Sequence, residues 1–354
     1  MLVSEVVDSK AIALAATNDA SNDIPYAGLA WFPEEKKNGL DLKWIKTHKG
    51  LAVSLAPSNF DALPTIRARE GLDIERTQMA FFRESMIIKE EDAQEIDRIK
   101  SEDDPYLQGA MSSIYDDTNR LVRGAEVVPE RMRMQLLATT NGHPAIGIES
   151  KGVKYAYDYD PTGEYASKHY MKINTEADKW SSPTSKPLTD INMARKSLEK
   201  LGKRPRYILM TSTTFDYLSE NDQIKNAILS QNLTANILMD DETVKEIIRK
   251  KTKLEPIIYD KMYIDDNGNE QSFYPDNKAT ILPEGPVGKT WFGTTPEERT
   301  AGQVADVDVT IYGTGIAIAV KTEYGPPALT STTASEITLP SYEGMDSTFV
   351  LEVA

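Results

Sequence analysis

Apolar and polar residues along the chain follow two periods, one of two residues and one of about three and a half, and the switches between them mark the elements. The first 32 residues predict an extended or weakly ordered stretch. Leu2-Val3 and the run Ile12-Ala-Leu-Ala-Ala16 are apolar, residues 18–25 are polar and turn-rich, and Trp31-Phe32 makes an aromatic anchor before Pro33. Such a terminus is either frayed or an arm that docks on another subunit, and position leaves both open. Alternation then begins: Leu40, Leu42 and Trp44 share one strand face, followed by Leu51, Val53 and Leu55. Residues 57–72 read as a polar loop with Pro57, Pro64 and Gly71, carrying Arg67, Arg69 and Glu70. A second β run follows from Ile74 to Ile88. Two β runs around a loop of about sixteen residues exceed a compact hairpin, so a projecting β-arm is the natural interpretation.

A helical period takes over after Asp104-Pro105, an N-cap followed by Pro at the first helical position. Leu107, Met111, Ile114, Tyr115, Leu121 and Val122 recur at helical spacing, and Val128, Met132, Leu136 and Leu137 continue it. Pro129 should kink or split this helix. If continuous to Ala138 it would span about 50 Å at 1.5 Å per residue. Asn141-Gly142 ends it. Residues 145–160 alternate again and turn at Ser150-Lys-Gly152, which predicts a hairpin. Residues 162–187 are mostly polar and read as a linker or surface excursion.

From Leu188 the texture is ordinary α/β. A helix is predicted from Ile191 to Leu201, a buried strand over 206–210, and short helices over 213–218, 223–229 and 241–251. A strand over 255–259, a hairpin around Asn267-Gly268 and a strand over 278–282 follow. Residues 306–324 and 336–353 are β, and no repeat of fixed period is present.

Composition narrows the function. The 354 residues suit two or three domains. With no Cys there is no disulfide framework, thiol nucleophile or thiolate metal site, which fits a reducing compartment. The longest apolar run near the C-terminus, Gly315-Ile-Ala-Ile-Ala-Val320, is far short of a membrane span, and no secretory signal is visible. Forty Lys and Arg against 55 Asp and Glu give a charge of −15, the wrong sign for gripping phosphates. Residues 89–104 alone hold eight acids against three bases, a pattern that ordinarily means a solvated face.

The search for chemistry returns almost nothing. His48, His143 and His169 lack partners at metal-ligand spacing, and a surface position is the expected one for each. Pro283-Glu-Gly-Pro-Val-Gly-Lys-Thr290 ends like a phosphate-binding loop, but Pro283 replaces its first Gly and Trp291-Phe-Gly-Thr-Thr-Pro296 is a poor helix start. Asp265-Asp-Asn-Gly-Asn-Glu270 has its Gly at the fourth position, so a hairpin turn explains it better than a calcium loop. Arg249-Lys-Lys251 ends a helix, where cations suit the dipole. No catalytic residue, cofactor or metal ligand is assigned.

What remains is architectural: an arm, a projecting loop, one very long helix and an α/β insertion before returning strands. This order, with three stretches of sequence, resembles the major capsid proteins of tailed bacteriophages, the family typified by the lambda capsid protein E. The stretches are the 262–277 hairpin closing on Pro275-Asp-Asn277 before Thr280-Ile-Leu282, Glu130-Arg-Met-Arg-Met-Gln-Leu-Leu137 at the end of the long helix, and Arg83-Glu-Ser-Met-Ile-Ile88. The resemblance implies an α+β tailed-phage major capsid fold. It would comprise an N-terminal arm (1–39), an extended β-loop (40–88), a peripheral domain with a spine helix (89–187), an axial domain (188–299) and C-terminal strands returning to the peripheral domain (300–354).

It also implies a structural protein of the virion that self-assembles as pentamers and hexamers into an icosahedral shell around double-stranded DNA, in the bacterial cytoplasm. Its partners would be copies of itself, a separate scaffolding protein, a portal and a decoration protein, with no sequence-specific DNA binding and no membrane. A non-viral compartment shell of the same fold is the alternative, and an NTPase built on Gly288-Lys-Thr290 a weaker one. Charge complementarity and the loop's projection set Arg67 and Arg69 against acidic residues of a neighbouring subunit, with Glu90, Glu91 and Glu95 leading. The charge of −15 fits either a weakly repulsive inner face or a soluble exterior.

Overall fold

A computed structural model describes residues 9–20, 24–46, 73–88, 106–150, 152–229, 240–303, 307–323 and 329–354. In chain order the first half contains α1 (Ser9–Ala20), β1 (Glu34–Lys36), β2 (Asp41–Lys46), β3 (Asp73–Gln78), β4 (Ala80–Ile88), α2 (Tyr106–Ala138), β5 (Ala145–Ser150), β6 (Val153–Asp158), α3 (Glu164–Lys168) and β7 (Tyr170–Lys172). Then come α4 (Pro187–Lys200), β8 (Pro205–Met210), α5 (Ser212–Glu220), α6 (Asp222–Leu229), α7 (Asp241–Thr252), β9 (Glu255–Ile258), β10 (Met262–Ile264), β11 (Glu270–Ser272) and β12 (Lys278–Pro283). The chain closes with β13 (Lys289–Phe292), α8 (Pro296–Thr300), β14 (Val307–Tyr312), β15 (Ile316–Glu323), β16 (Leu329–Ser341) and β17 (Phe349–Glu352). They divide between two units, one of Met1–Leu42, Thr77–Arg133 and Lys289–Ser341, the other of Lys43–Arg76, Met134–Gly288 and Tyr342–Ala354.

The first unit is built on a six-stranded sheet with the order β1-β13-β16-β15-β14 and β4 also on β16. The long Thr-rich strand β16 suits a sheet centre, because β-branched residues pack well on a pleated surface. Its residues Thr330 to Thr338 pair antiparallel with β4. The opposite edge is shared, with β15 along Leu329 to Ser335 and β13 along Thr338 to Ser341. Residues 9–20, expected to be extended, form a helix instead. Ile12 and Ala16, one helical turn apart, pack with Val122, Ile318 and Val320. Asp308 accepts the Ser9 amide (3.1 Å) and Thr310 meets its hydroxyl (2.6 Å), so β14 holds the helix start. This short Ala-rich run carries too few periods to announce itself, and its helicity rests on that packing. The aromatic anchor stands as expected, with Trp31 and Phe32 buried.

Pro129 neither splits nor ends α2, which runs as one 33-residue helix. Proline removes a single intrahelical bond, and buried Met132, Arg133, Met134, Leu136 and Leu137 hold the next turns in place. Thr139 and Asn141, both at positive φ, then terminate it with Gly142.

The second unit is a five-stranded sheet, β7-β17-β12-β8-β9, with β8/β9 and β17/β7 parallel and β12 antiparallel to both neighbours. Helices α4 to α7 bury Ile191, Leu198, Phe215 and Ile248 in a core shared with Ile208, Ile281 and Leu351. Residues 162–187 are not a linker. They supply α3 and edge strand β7, and Trp180 is 1% exposed, its amide donating to Val353 at 2.8 Å. A three-residue edge strand and one buried Trp leave little periodic trace. The 300–354 region divides, with β14, β15 and β16 in the six-stranded sheet and β17 in the five-stranded one. The predicted hairpins form as β5–β6 and β10–β11, and β2 pairs with β3.

Candidate assembly surfaces

The residues assigned to an inter-subunit contact, Arg67 and Arg69 against Glu90, Glu91 and Glu95, all lie outside the described residues, and so does His48. At the base of the loop strand, Arg83 on β4 pairs with Glu297 and stacks its guanidinium over Phe81 at 5.0 Å. Glu297 also accepts from Ser335 at 2.6 Å. Farther along β4, Ile87 is 60% exposed, an apolar side chain without cover in the isolated chain.

Beneath this surface the first unit holds an ionic cluster that sequence reasoning did not find. Arg133, 1% exposed, donates Nε to Thr290 Oγ1 (2.8 Å), Nη1 to Glu130 Oε2 (3.3 Å) and Nη2 to Glu34 Oε1 (2.8 Å). Glu130 Oε1 accepts the Gly28 amide at 2.9 Å, Thr290 donates to the Phe32 carbonyl at 3.1 Å, and Thr314 donates to Glu34 Oε2 at 2.8 Å. Helix α2, strands β1 and β13 and the segment around Gly28 are thus tied through one guanidinium. Gly28 is required by this approach, since a Cβ there would meet Glu130 Oε2 at 2.6 Å and Arg133 Cδ at 2.8 Å. The visible signal was the i,i+3 pair Glu130 and Arg133 on the apolar side of a helix. Its partner Glu34 comes from a three-residue strand with no pattern of its own.

Glu336 on β16 is fully buried, and among the described residues neither carboxylate oxygen has a hydrogen-bond partner. Desolvation pushes its pKa well above the ordinary carboxylate value. Arg133 draws it down, while Glu34 and Glu126 raise it further. Burial therefore favours the protonated form of Glu336 over a wider pH range than for a free glutamate. Two residues to either side along the strand, Ala334 is buried and the buried Thr338 hydroxyl also lacks a partner, as does that of Thr332.

The second unit carries the turn that supported the family resemblance. Asp276 accepts from Thr211, the N-cap of α5, at 2.5 Å, and Asn277 at φ 64 receives Tyr217 OH at 3.1 Å and donates its amide to Thr214 at 3.0 Å. Tyr274 OH meets Thr280 Oγ1 at 2.7 Å, and Thr280 donates to the Leu137 carbonyl at 2.8 Å. The Pro-Asp-Asn turn therefore locks β12 to both α5 and the end of α2.

Among the described residues no catalytic arrangement emerges. Lys289 and Thr290 lie in strand β13 rather than before a helix, and Thr290 is occupied by Arg133, so no phosphate cradle forms. Asp265 accepts the amides of Asn267 and Asn269 at 2.9 Å each, the geometry of a hairpin turn, and the Asn269 amide leads in holding its pKa low. No group of three or more metal-ligating side chains occurs among the described residues. No described helix is long and apolar enough to cross a membrane. His143 is exposed as expected, but His169 is not a surface residue. It stacks on Tyr165 (5.2 Å between centroids), its Nδ1 donates to the Thr348 carbonyl at 3.0 Å, and burial lowers its pKa.

Comparison with known proteins decides. Residues 14–315 match the family described as phage major capsid protein E. The chain belongs to that family. The fold agrees. A protein assigned as a prophage capsid protein, from E. coli CFT073, superposes with a TM-score of 0.59 at 15% identity, over 98% of this chain and 99% of that one. A phage-related protein from Bordetella bronchiseptica RB50 does so with a TM-score of 0.56 at 12% identity, over 98% of both chains. A comparison with curated proteins finds no match. This capsid protein thus has the α+β tailed-phage major capsid fold expected from its sequence. It is a structural component of the phage virion, working as a homo-oligomer.

Proposed function

We propose that this capsid protein assembles in the host cytoplasm as pentamers and hexamers that close into an icosahedral shell around double-stranded DNA. The observation that carries the reading is a family match over residues 14–315 on a chain whose fold follows a prophage capsid protein from end to end. The domain plan is part of the proposal: an N-terminal arm over 1–39, the extended loop over 40–88, the peripheral domain over 89–187 and the axial domain over 188–299, with the strands of 300–354 returning to the peripheral domain except β17, which pairs with β12. Arg67 and Arg69 at the loop meet Glu90, Glu91 and Glu95 of a neighbour. A scaffolding protein, a portal and a decoration protein complete the particle. The charge of −15 supports enclosure of DNA without adhesion. No catalytic step is assigned, because nothing among the described residues assembles one.

Electron microscopy of the purified full chain, expressed with its scaffolding partner, tests this. Uniform capsomers or shells are the expected result, with DNA rather than a protein guest inside particles from infected cells. A monodisperse monomer at high concentration overturns the reading.

A further inference from the structure

The second unit carries two surface patches of opposite sign. The first is a groove of about 920 Å³ along α4, bordered by α6 and α7. Lys196 and Lys200 on α4 and Lys251 at the end of α7 line it, all exposed and none with an ion-pair partner among the described residues. Arg195 lines it too, paired with Glu199, and Met193 beside them is 52% exposed. The Asn192 side chain donates to the Lys251 carbonyl at 3.3 Å, so the helices that frame the groove are tied together. On an acidic chain, three uncompensated ammonium groups around an open apolar side chain are an unfinished contact.

The second patch gathers Asp216 and Glu220 on α5, Asp241 at the start of α7 and Asp260 after β9. All four are exposed. Asp216 and Glu220 stand one turn apart on α5, Asp260 accepts the Ser212 amide at the start of α5 at 2.8 Å, and α7 packs against α5. Desolvation raises the Asp216 pKa, and the neighbouring acids Asp241, Glu220 and Asp260 add to it. Asp241 and Lys251 stand at opposite ends of α7, about 15 Å apart at 1.5 Å per residue. One patch thus lies at the start of this helix and the other at its end, on a single folded unit.

We infer that the cationic groove of one copy receives the acidic patch of the next copy, in a head-to-tail contact between second units. When each patch meets a different neighbour the contact is heterologous, and it generates a ring when the rotation closes. A reciprocal two-fold pairing would also match opposite charges but would stop at a dimer, which the shell reading does not use. Both patches are fixed on packed helices, so neither pays a large ordering cost. The apolar Leu188, Met193 and Ala227 among the groove's lining favour a protein partner over a DNA backbone, which would have to approach a chain of charge −15. The inference rests on the shell reading above and adds the surfaces by which copies meet around an axis.

The test uses the full chain in three forms: wild type, the groove variant Lys196→Glu/Lys200→Glu/Lys251→Glu, and the patch variant Asp216→Lys/Glu220→Lys/Asp241→Lys. Sedimentation and electron microscopy read the yield of rings and shells, and circular dichroism confirms folding, with the single variant Lys200→Glu in reserve should a triple variant unfold. Each triple variant should lose assembly by about tenfold or more, since several charge pairs reverse at every contact. Mixed in equal amounts, the two should regain six-membered rings, because alternation restores opposite charges at every junction. Five-membered rings cannot alternate completely and should recover less. Variants that assemble like wild type, or mixtures that recover nothing, overturn the inference while wild-type rings leave the shell reading standing. A groove variant that still forms rings but no longer retards duplex DNA assigns the groove to phosphate and overturns the inference as well. Wild-type chains that form no ring or shell overturn the shell reading itself.

Discussion

Glu336→Gln should stabilise the unassembled chain at neutral and alkaline pH while changing little in acid. The carboxyl is fully buried with no partner among the described residues, and burial raises its pKa well above 4.5. Unfolding at a pH between the unfolded pKa and the raised folded one therefore releases a proton from Glu336. The folded state binds more protons than the unfolded one at every pH between the unfolded pKa and the raised folded value. Stability attributable to this residue is full below about pH 4.5 and declines as pH rises. One proton gives a slope approaching about 1.4 kcal/mol per pH unit. Glutamine has nearly the same shape and no charge, so it matches the neutral acid and removes the slope. The gap between variant and wild type should open at up to that slope as pH rises above about 4.5, and level off at the raised folded pKa. At about 2 °C per kcal/mol in a chain of this size, this is up to about 3 °C in Tm for each pH unit. Thermal or urea melts of both proteins at pH 5, 6, 7 and 8 read it directly. Parallel stability curves would refute the neutral-acid assignment, and a variant less stable at every pH would mean that Glu336 is ionised and held by Arg133.

Other perturbations probe other parts of the molecule. Gly28→Ala drives a methyl group to within 2.6 Å of Glu130 Oε2, and should cost about 1–3 kcal/mol in denaturant titration, with the m-value unchanged. His169 should titrate below the ordinary imidazole value of 6.5 in an NMR titration, because burial lowers its pKa. Its contribution to stability is then complete above the unfolded pKa and lost as pH falls toward the folded one, a loss that His169→Gln should remove. Reversing Arg67 and Arg69 to Glu should lower the yield and salt resistance of shells. Each exposed pair contributes only about 0–1 kcal/mol, but the contact repeats in every copy. Normal shells at unchanged yield would discard that pairing.

Elements with several full periods were legible in the sequence. The long helix, the hairpin at Gly152 and the alternation of helices and strands after Leu188 all stand as expected, because their side chains face one core and their turns use Gly or Asn where φ is positive. The misses share a cause: their structure is imposed by distant partners. Helix α1 exists because β14 and β15 receive it, and β7 because β17 offers an edge. Pro129 is tolerated because burial on both sides of it outweighs one lost hydrogen bond. The ionic cluster was half visible. Glu130 and Arg133 stood inside a stretch used to support the resemblance, yet Gly28, Glu34 and Thr290 are far from them in sequence. Glu336 was invisible for another reason, since a glutamate in a Thr-rich strand reads as facing water. The residues chosen from charge complementarity, Arg67 and Arg69 with Glu90, Glu91 and Glu95, lie outside the described residues, so their pairing rests on sequence and awaits the reversal experiment.

Strand β16 has a mechanical consequence. Nine of its residues are paired to β4 in an unbroken antiparallel ladder, while β13 and β15 hold its far edge in succession. A tug on β4 along its own length would load these bonds together, in shear, rather than peel them one after another. The strand that leads out of the sheet at Ile88 is therefore fastened as a lap joint. Force arriving through it would spread across a whole sheet before any single bond had to yield.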